Sequence, residues 1–162
     1  MSQDSAIAAY GQQVITACAV VNKFINGKPS ILVAKRAATK KFLPGKYELP
    51  GGHIDYGENP EDGLKLELLE ELRLDVTIGS LFAAFTYINE IKGSHSIELL
   101  YFAQAKEGSE PTVNPEDHSG LLWVNEDNIN LVEQENGSDD QELPYLKKSL
   151  RILNNYESIK LG

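Results

Sequence analysis

Apolar positions fall in short blocks separated by glycine, proline and asparagine, and the period of the blocks changes along the chain. Val14 to Ile25 is rich in β-branched residues and reads as a strand, Asn26-Gly27 is a hairpin turn signal, and Ile31 to Ala34 reads as its partner. The stretch from Thr39 to Lys46 carries three lysines, Pro44 and Gly45 and reads as a loop. Tyr47-Glu48-Leu49 is a short strand that enters a Pro50-Gly51-Gly52 turn. The period then becomes helical. Asn59 suits an N-cap, Pro60 the first helical position, and Glu61 and Asp62 lie where the helix dipole favours anions. Leu64, Leu68 and Leu72 recur every four residues and predict the buried stripe of that helix.

Beyond the helix, Val76 to Ile91 reads as β structure in two pieces with a break at Gly79, and Lys92-Gly93-Ser94 as a turn. Ile97 to Ala105 is apolar at nearly every position, which predicts a central strand, with Glu98 taken as an edge residue near its start. A polar loop from Glu107 to Ser119 precedes a strand over Leu121 to Val124, and Glu126 to Leu131 reads as a helical turn. The acidic run Glu133 to Glu142 is expected to be a loop with disordered character. Residues 143–158 predict a C-terminal helix with Leu146, Leu150, Leu153 and Tyr156 near helical spacing. Residues 1–12 are expected to be a loose segment. The order β-β-β-α-β-β-β-α predicts an α/β chain with a mixed sheet between helices, and the absence of repeats or linkers predicts one domain over 1–162.

Composition narrows the function. A formal charge of −9 argues against a protein that grips nucleic acid through its phosphates, because that binding needs Lys and Arg in excess. It leaves a phosphate substrate open, since a bound cation reverses the local field. A single cysteine, Cys18, excludes an internal disulfide and points to a reducing, cytoplasmic setting, with Cys18 itself expected in the core. The start of the chain, MSQDSAIAAYGQQ, lacks the apolar segment of a signal peptide, and no apolar run approaches the ~20 residues of a membrane span.

The candidate chemistry lies in the central helix. Glu67, Glu70 and Glu71 stand at i, i+3 and i+4 and project from one face, where like charges destabilise an isolated helix by a few tenths of a kcal/mol per pair. A divalent cation offsets that repulsion, and hard carboxylate oxygens suit Mg²⁺ or Mn²⁺. Gly51-Gly52 upstream lets backbone approach a metal or phosphate without a Cβ in the way.

The stretch GGHIDYGENPEDGLKLELLEELRL resembles the Nudix box of the MutT-like hydrolases, G-x5-E-x7-R-E-U-x-E-E-x-G-U with U aliphatic. Gly52 matches the first glycine and Glu58 the next glutamate; Glu67, Leu68, Glu70, Glu71 and Leu74 match the positions that follow. Leu66 stands where the family has arginine, and Arg73 where it has glycine. The resemblance implies an α/β/α sandwich and Mg²⁺-dependent (or Mn²⁺-dependent) cleavage of a nucleoside diphosphate linked to another group. It also implies that Gly52, Glu67, Glu70 and Glu71 hold metal, that one of the glutamates activates water, and that Glu58 supports them by hydrogen bonding. Arg36 at the end of the second strand is then expected to contact phosphate, Glu48 to reach a metal or substrate, and Asp117 to serve as a further acid. Arg73, i+3 from Glu70, is expected to replace part of the missing arginine's charge.

No proline occurs from Val76 to Glu110, where ADP-ribose-type relatives have one, and the Ser-Gln-Pro-Trp run of the NADH type is absent. The tyrosine spacing of the diadenosine-polyphosphate type is not met well by Tyr87 or Tyr101. Elimination leaves a nucleoside triphosphate or a related small nucleotide. The alternative is a Nudix-fold nucleotide-binding or regulatory protein with weak catalysis, for which Leu66 and Arg73 argue. A homodimer is the family's precedent. His53, His95 and His118, the loop residues Lys40, Lys41 and Lys46, Trp123, and the aromatics Phe82, Phe85 and Tyr87 are expected in structural or surface roles.

Overall fold

The computed structural model describes residues 11–161, with side chains through residue 155. Most of the 1–12 segment and the Tyr156 side chain lie outside the described residues. In chain order the elements are β1 (Gln13–Ile25), β2 (Lys28–Arg36), β3 (Tyr47–Glu48), β4 (Gly51–His53), α1 (Pro60–Leu72), β5 (Val76–Asn89), β6 (Ser94–Ala105), β7 (His118–Val124), α2 (Asn130–Asn136) and α3 (Leu143–Leu161). The expected mixed sheet is present: β1 pairs parallel with β6, and the other strand pairs are antiparallel.

The sheet is split along one seam. The tight Asn26-Gly27 turn, with φ of 51° and 76°, joins β1 to β2 through the pairs Asn22↔Ile31 to Ile25↔Lys28. Nearer its start, β1 pairs instead with β4, through Thr16↔His53 to Cys18↔Gly51, while β2 pairs with β3 through Ala34↔Glu48 and Lys35↔Tyr47. Strands β1 and β2 therefore diverge, and the segment 47–53 fills the wedge between them. β6 lies between β1 and β5, which agrees with the central position expected for it.

Alternation along β1 sends its side chains to two cores. Ala17, Ala19 and Val21 face α1, where they pack with Leu64, Leu68 and Leu72. Cys18 and Val20 face the other way and pack with Ile31, Val33, Leu100 and the α3 residues Leu146 and Leu150. The three α1 leucines are fully buried, each worth roughly 1.5–3 kcal/mol of apolar burial. Helices on both faces make the α/β/α sandwich.

Three local expectations change. The break at Gly79 is a bulge within one continuous β5, where pairing with β6 shifts register between Ile78 and Leu81. The short helix lies at Asn130–Asn136, later than the Glu126–Leu131 stretch. The acidic run is anchored: Asn136 accepts from the Tyr47 backbone N–H and donates to its C=O, both at 2.8 Å, as a neighbouring strand would. Glu142 accepts from the N–H of Leu49 at 3.1 Å. Among the described residues no helix is long and apolar enough to cross a membrane.

Candidate active site

The box begins as a strand. Gly51 and Gly52 are extended residues of β4 rather than a turn, and their lack of a Cβ serves two contacts. A Cβ on Gly51 would stand 2.0 Å from the Ala17 carbonyl oxygen of β1. A Cβ on Gly52 would stand 2.6 Å from the Glu67 carboxyl carbon, so the bare backbone is what lets that carboxylate lie against β4.

Helix α1 opens as expected, with Asn59 Oδ1 accepting from the Glu61 N–H at 3.0 Å. Glu58 accepts from the Asp55 N–H at 3.1 Å and lies against Gly63 in the first turn, which secures the entry to the helix. On the carboxylate face, Glu67 and Glu71 are half-buried and Glu70 is exposed. Burial, and then repulsion from Glu70, pushes the Glu67 carboxyl up to about 7. Burial and the charges of Glu48, Glu67 and Asp117 push Glu71 up to about 8, against the opposing pull of Lys40. Such a site holds surplus negative charge, which a divalent cation neutralises.

Glu67 and Glu71 line a cavity of about 640 Å³ together with Gly52, Arg36, Lys40, Glu48 and Asp117. That volume is in the range of small-molecule sites. Glu48 is clamped in this lining. Its Oε2 accepts from Arg36 Nη1 at 3.1 Å and its Oε1 from His118 Nε2 at 2.9 Å. Arg36 and His118 are buried, and Arg36 Nε also donates to the Phe42 carbonyl at 2.7 Å, so Arg36 is bound into the wall. Asp117 pairs with Lys40 at 3.0 Å and accepts from the Asn114 amide. Lys40 is thus engaged at the cavity instead of solvated on a loop.

A family model described as the NUDIX domain matches residues 13–146. The chain belongs to the Nudix family. It is 39% identical over 113 residues to an uncharacterized Nudix hydrolase, all7351, of Nostoc sp., covering 65% of this chain and 62% of that protein. It is 26% identical over 122 residues to the nucleoside triphosphatase NudI of Enterobacter sp., covering 70% and 86%. Among solved structures it matches a MutT NUDIX hydrolase of Burkholderia pseudomallei at 29% identity with a TM-score of 0.61, over 72% and 85% of the two chains.

In this Nudix chain the two departures from the box have plain structural outcomes. Leu66 is about half exposed and belongs to neither core cluster. Arg73 caps α1 in the left-handed conformation, φ 52° and ψ 30°, which the family's glycine adopts without strain. Its N–H and that of Leu74 close the helix on the carbonyls of Leu69 and Leu68. Arg73 is exposed and, among the described residues, no ion pair joins it to Glu70; its backbone caps the helix. His118, expected in a structural or surface role, shares with Arg36 the task of fixing Glu48. Cys18, Glu98 and Glu142 also line the cavity, although Glu98 is a buried residue of a central strand and not at an edge. An ionisable residue inside the apolar run Ile97 to Ala105 was the available signal.

Proposed function

We propose that this Nudix chain hydrolyses a diphosphate bond of a nucleoside triphosphate or a related nucleoside-diphosphate-X substrate, with Mg²⁺ or Mn²⁺ as its cofactor. The observation that carries the reading is the convergence of Glu67 and Glu71 on a nucleotide-sized cavity, with their carboxyls pushed up to about 7 and about 8 by burial and mutual charge. The donor set fits a hard divalent cation: Glu67, Glu70 and Glu71 offer carboxylate oxygens, and the Gly52 backbone adjoins Glu67. When bound, such a cation neutralises phosphate charge and acidifies water.

The chain's own groups do the rest. Glu67 and Glu71, pushed up toward neutrality, are in their deprotonated form stronger bases than an ordinary carboxylate, which suits a group that accepts a proton from attacking water. Gly52 leaves room for the Glu67 carboxylate, and Arg36 with His118 holds Glu48 in the lining it shares with Glu71. Lys40 and Asp117, paired in the lining, contribute to the charge that phosphates meet. The family likeness to a nucleoside triphosphatase supports a triphosphate over other nucleotides.

The test is release of phosphate or pyrophosphate from a nucleotide panel with Mg²⁺, against Glu70→Gln and Glu71→Gln controls. Metal-dependent turnover lost in both variants is expected; no turnover above those controls overturns the reading. Binding without turnover would instead support a regulatory Nudix protein, a reading favoured by the exposed Leu66 where the family arginine would orient Glu67.

A further inference from the structure

The cavity has a second chemical end. On the α3 side of the sheet, Cys18 of β1, Glu98 of β6 and Glu142 before α3 bring their Sγ and carboxylate oxygens within 4.8 Å of one another. Glu98 is 2% exposed; its carboxylate hydrogen-bonds with Glu142 and the Cys18 thiol, and its Oε2 is left without a partner of good geometry. A buried carboxylate oxygen without a well-aligned partner is costly, and its place in the cavity lining lets a donor on a ligand satisfy it. Glu142 is less available, because its Oε1 already accepts from the Leu49 N–H. Burial pushes both carboxyls up, and the Glu98 charge pushes Glu142 further. Burial likewise keeps the Cys18 thiol protonated.

Flat apolar walls stand beside this acceptor. Phe85 lies directly across from Glu98 in the β5–β6 register, and Tyr87 follows on the same face. The Tyr87 and Phe42 rings are nearly parallel, 17° apart, with centroids separated by 6.2 Å. All three rings line the same cavity as Glu67 and Glu71. Aromatic faces beside a carboxylate suit a planar heterocycle with N–H groups on its edge.

Resting on the hydrolase reading above, we propose that Glu98, backed by Glu142, binds the edge of the substrate's nucleobase and selects one with two adjacent N–H donors, as guanine presents through N1–H and its exocyclic amine. A carboxylate offers two parallel acceptors and meets both donors at once. Adenine and cytosine set a ring acceptor beside their amine, and uracil flanks its one N–H with carbonyl oxygens, so each turns at least one lone pair on Glu98. A bidentate match of this kind discriminates by roughly 10- to 100-fold.

The test compares GTP with ITP, which differs only in lacking the amine. Wild-type kcat/KM is expected to favour GTP by about 10-fold or more. Glu98→Gln keeps one acceptor and places a donor where the second stood; it should collapse the GTP-to-ITP ratio of kcat/KM to about 1. A wild-type protein that treats GTP and ITP alike overturns the proposal whether or not the variant folds. So does a folded Glu98→Gln variant with the wild-type ratio, or Mn²⁺ binding that this variant loses while nucleotide preference stays the same. Binding of GMP against IMP without metal separates the two readings. If no nucleotide is hydrolysed but GMP binds more tightly than IMP, the hydrolase reading fails and the base site stands. If hydrolysis proceeds and the two monophosphates bind equally, the base site fails alone.

Discussion

Adjacent glycines of β4 meet different neighbours, so the same substitution at each should fail differently. An alanine methyl at Gly51 would lie 2.0 Å from the Ala17 carbonyl oxygen and 2.7 Å from the Cys18 Cα. Both are backbone atoms of β1, which is held on its other edge by β6 from Gln13↔His95 to Val21↔Ala103. Neither atom can retreat without breaking a ladder, so Gly51→Ala should cost roughly 3 kcal/mol, the upper end for overpacking, or about 10 °C in Tm for a chain of this size. At Gly52 the methyl meets the end of a flexible side chain. The Glu67 carboxyl carbon must move from 2.6 Å to at least the 3.4 Å of ordinary contact, which one changed torsion supplies. That costs about 1 kcal/mol of stability. A carboxylate displaced on the order of 1 Å in a catalytic cluster, however, loses about 100-fold in rate. Urea denaturation and Mg²⁺-dependent kcat/KM, measured on both variants, give the comparison. Gly51→Ala should be unstable with turnover per folded molecule largely kept; Gly52→Ala should be stable and slow. A Gly52→Ala protein with wild-type turnover would refute the placement of Glu67, and an equally stable Gly51→Ala would refute the tight β4–β1 contact.

The raised carboxyls give a pH dependence. Folding raises the Glu67 and Glu71 pKa values above their ordinary 4.5, so this contribution to stability is complete below about pH 4.5 and is lost as pH climbs through 7 and then 8. In EDTA the urea midpoint should therefore fall between about pH 6 and about pH 8.5, and Mg²⁺ should lessen the fall; an undiminished fall in a Glu67→Gln, Glu71→Gln double variant would disprove the assignment. Arg73→Gly should stabilise the chain by about 1 kcal/mol, because glycine takes the left-handed cap without Cβ strain, and should leave turnover unchanged. A loss of turnover in thermal and kinetic assays of that variant would restore a catalytic role for the arginine. Asn136→Ala removes both hydrogen bonds to the Tyr47 backbone and should cost about 2 kcal/mol by denaturant unfolding, with faster amide exchange at Tyr47; unchanged exchange would show that another group covers that strand edge.

Local signals carried much of the fold. The Asn26-Gly27 hairpin, the Asn59-Pro60 helix start and the Leu64, Leu68 and Leu72 stripe are all set by neighbours within a few residues, and each is found where the sequence predicts it. Gly51-Gly52 misled because glycine pairs usually mark turns, whereas here they answer to β1 and to Glu67, contacts visible only once the chain is folded. The α2 boundary failed for a related reason. Asn136 ends the helix while bonding to Tyr47, 89 positions earlier, and no local pattern encodes that. The box glutamates were legible because helical spacing brings them together. Cys18, Glu98 and Glu142 share no spacing; strand register and the anchored acidic run assemble them.

The parallel β1–β6 seam also bears on how the molecule comes to be folded. Gln13 and His95 meet across 82 positions of sequence, while the β1–β2 and β5–β6 pairs are nearly adjacent hairpins. Hairpins close in microseconds, whereas a loop of this length carries a larger closure entropy and slows the search. During synthesis β1 must therefore wait, with one edge unpaired, until β6 has left the ribosome. Because Cys18 and Glu98 come from the two strands of that seam, the base end of the cavity comes into being only when the two hairpins dock. Refolding followed at the cavity should lag behind refolding followed at either turn.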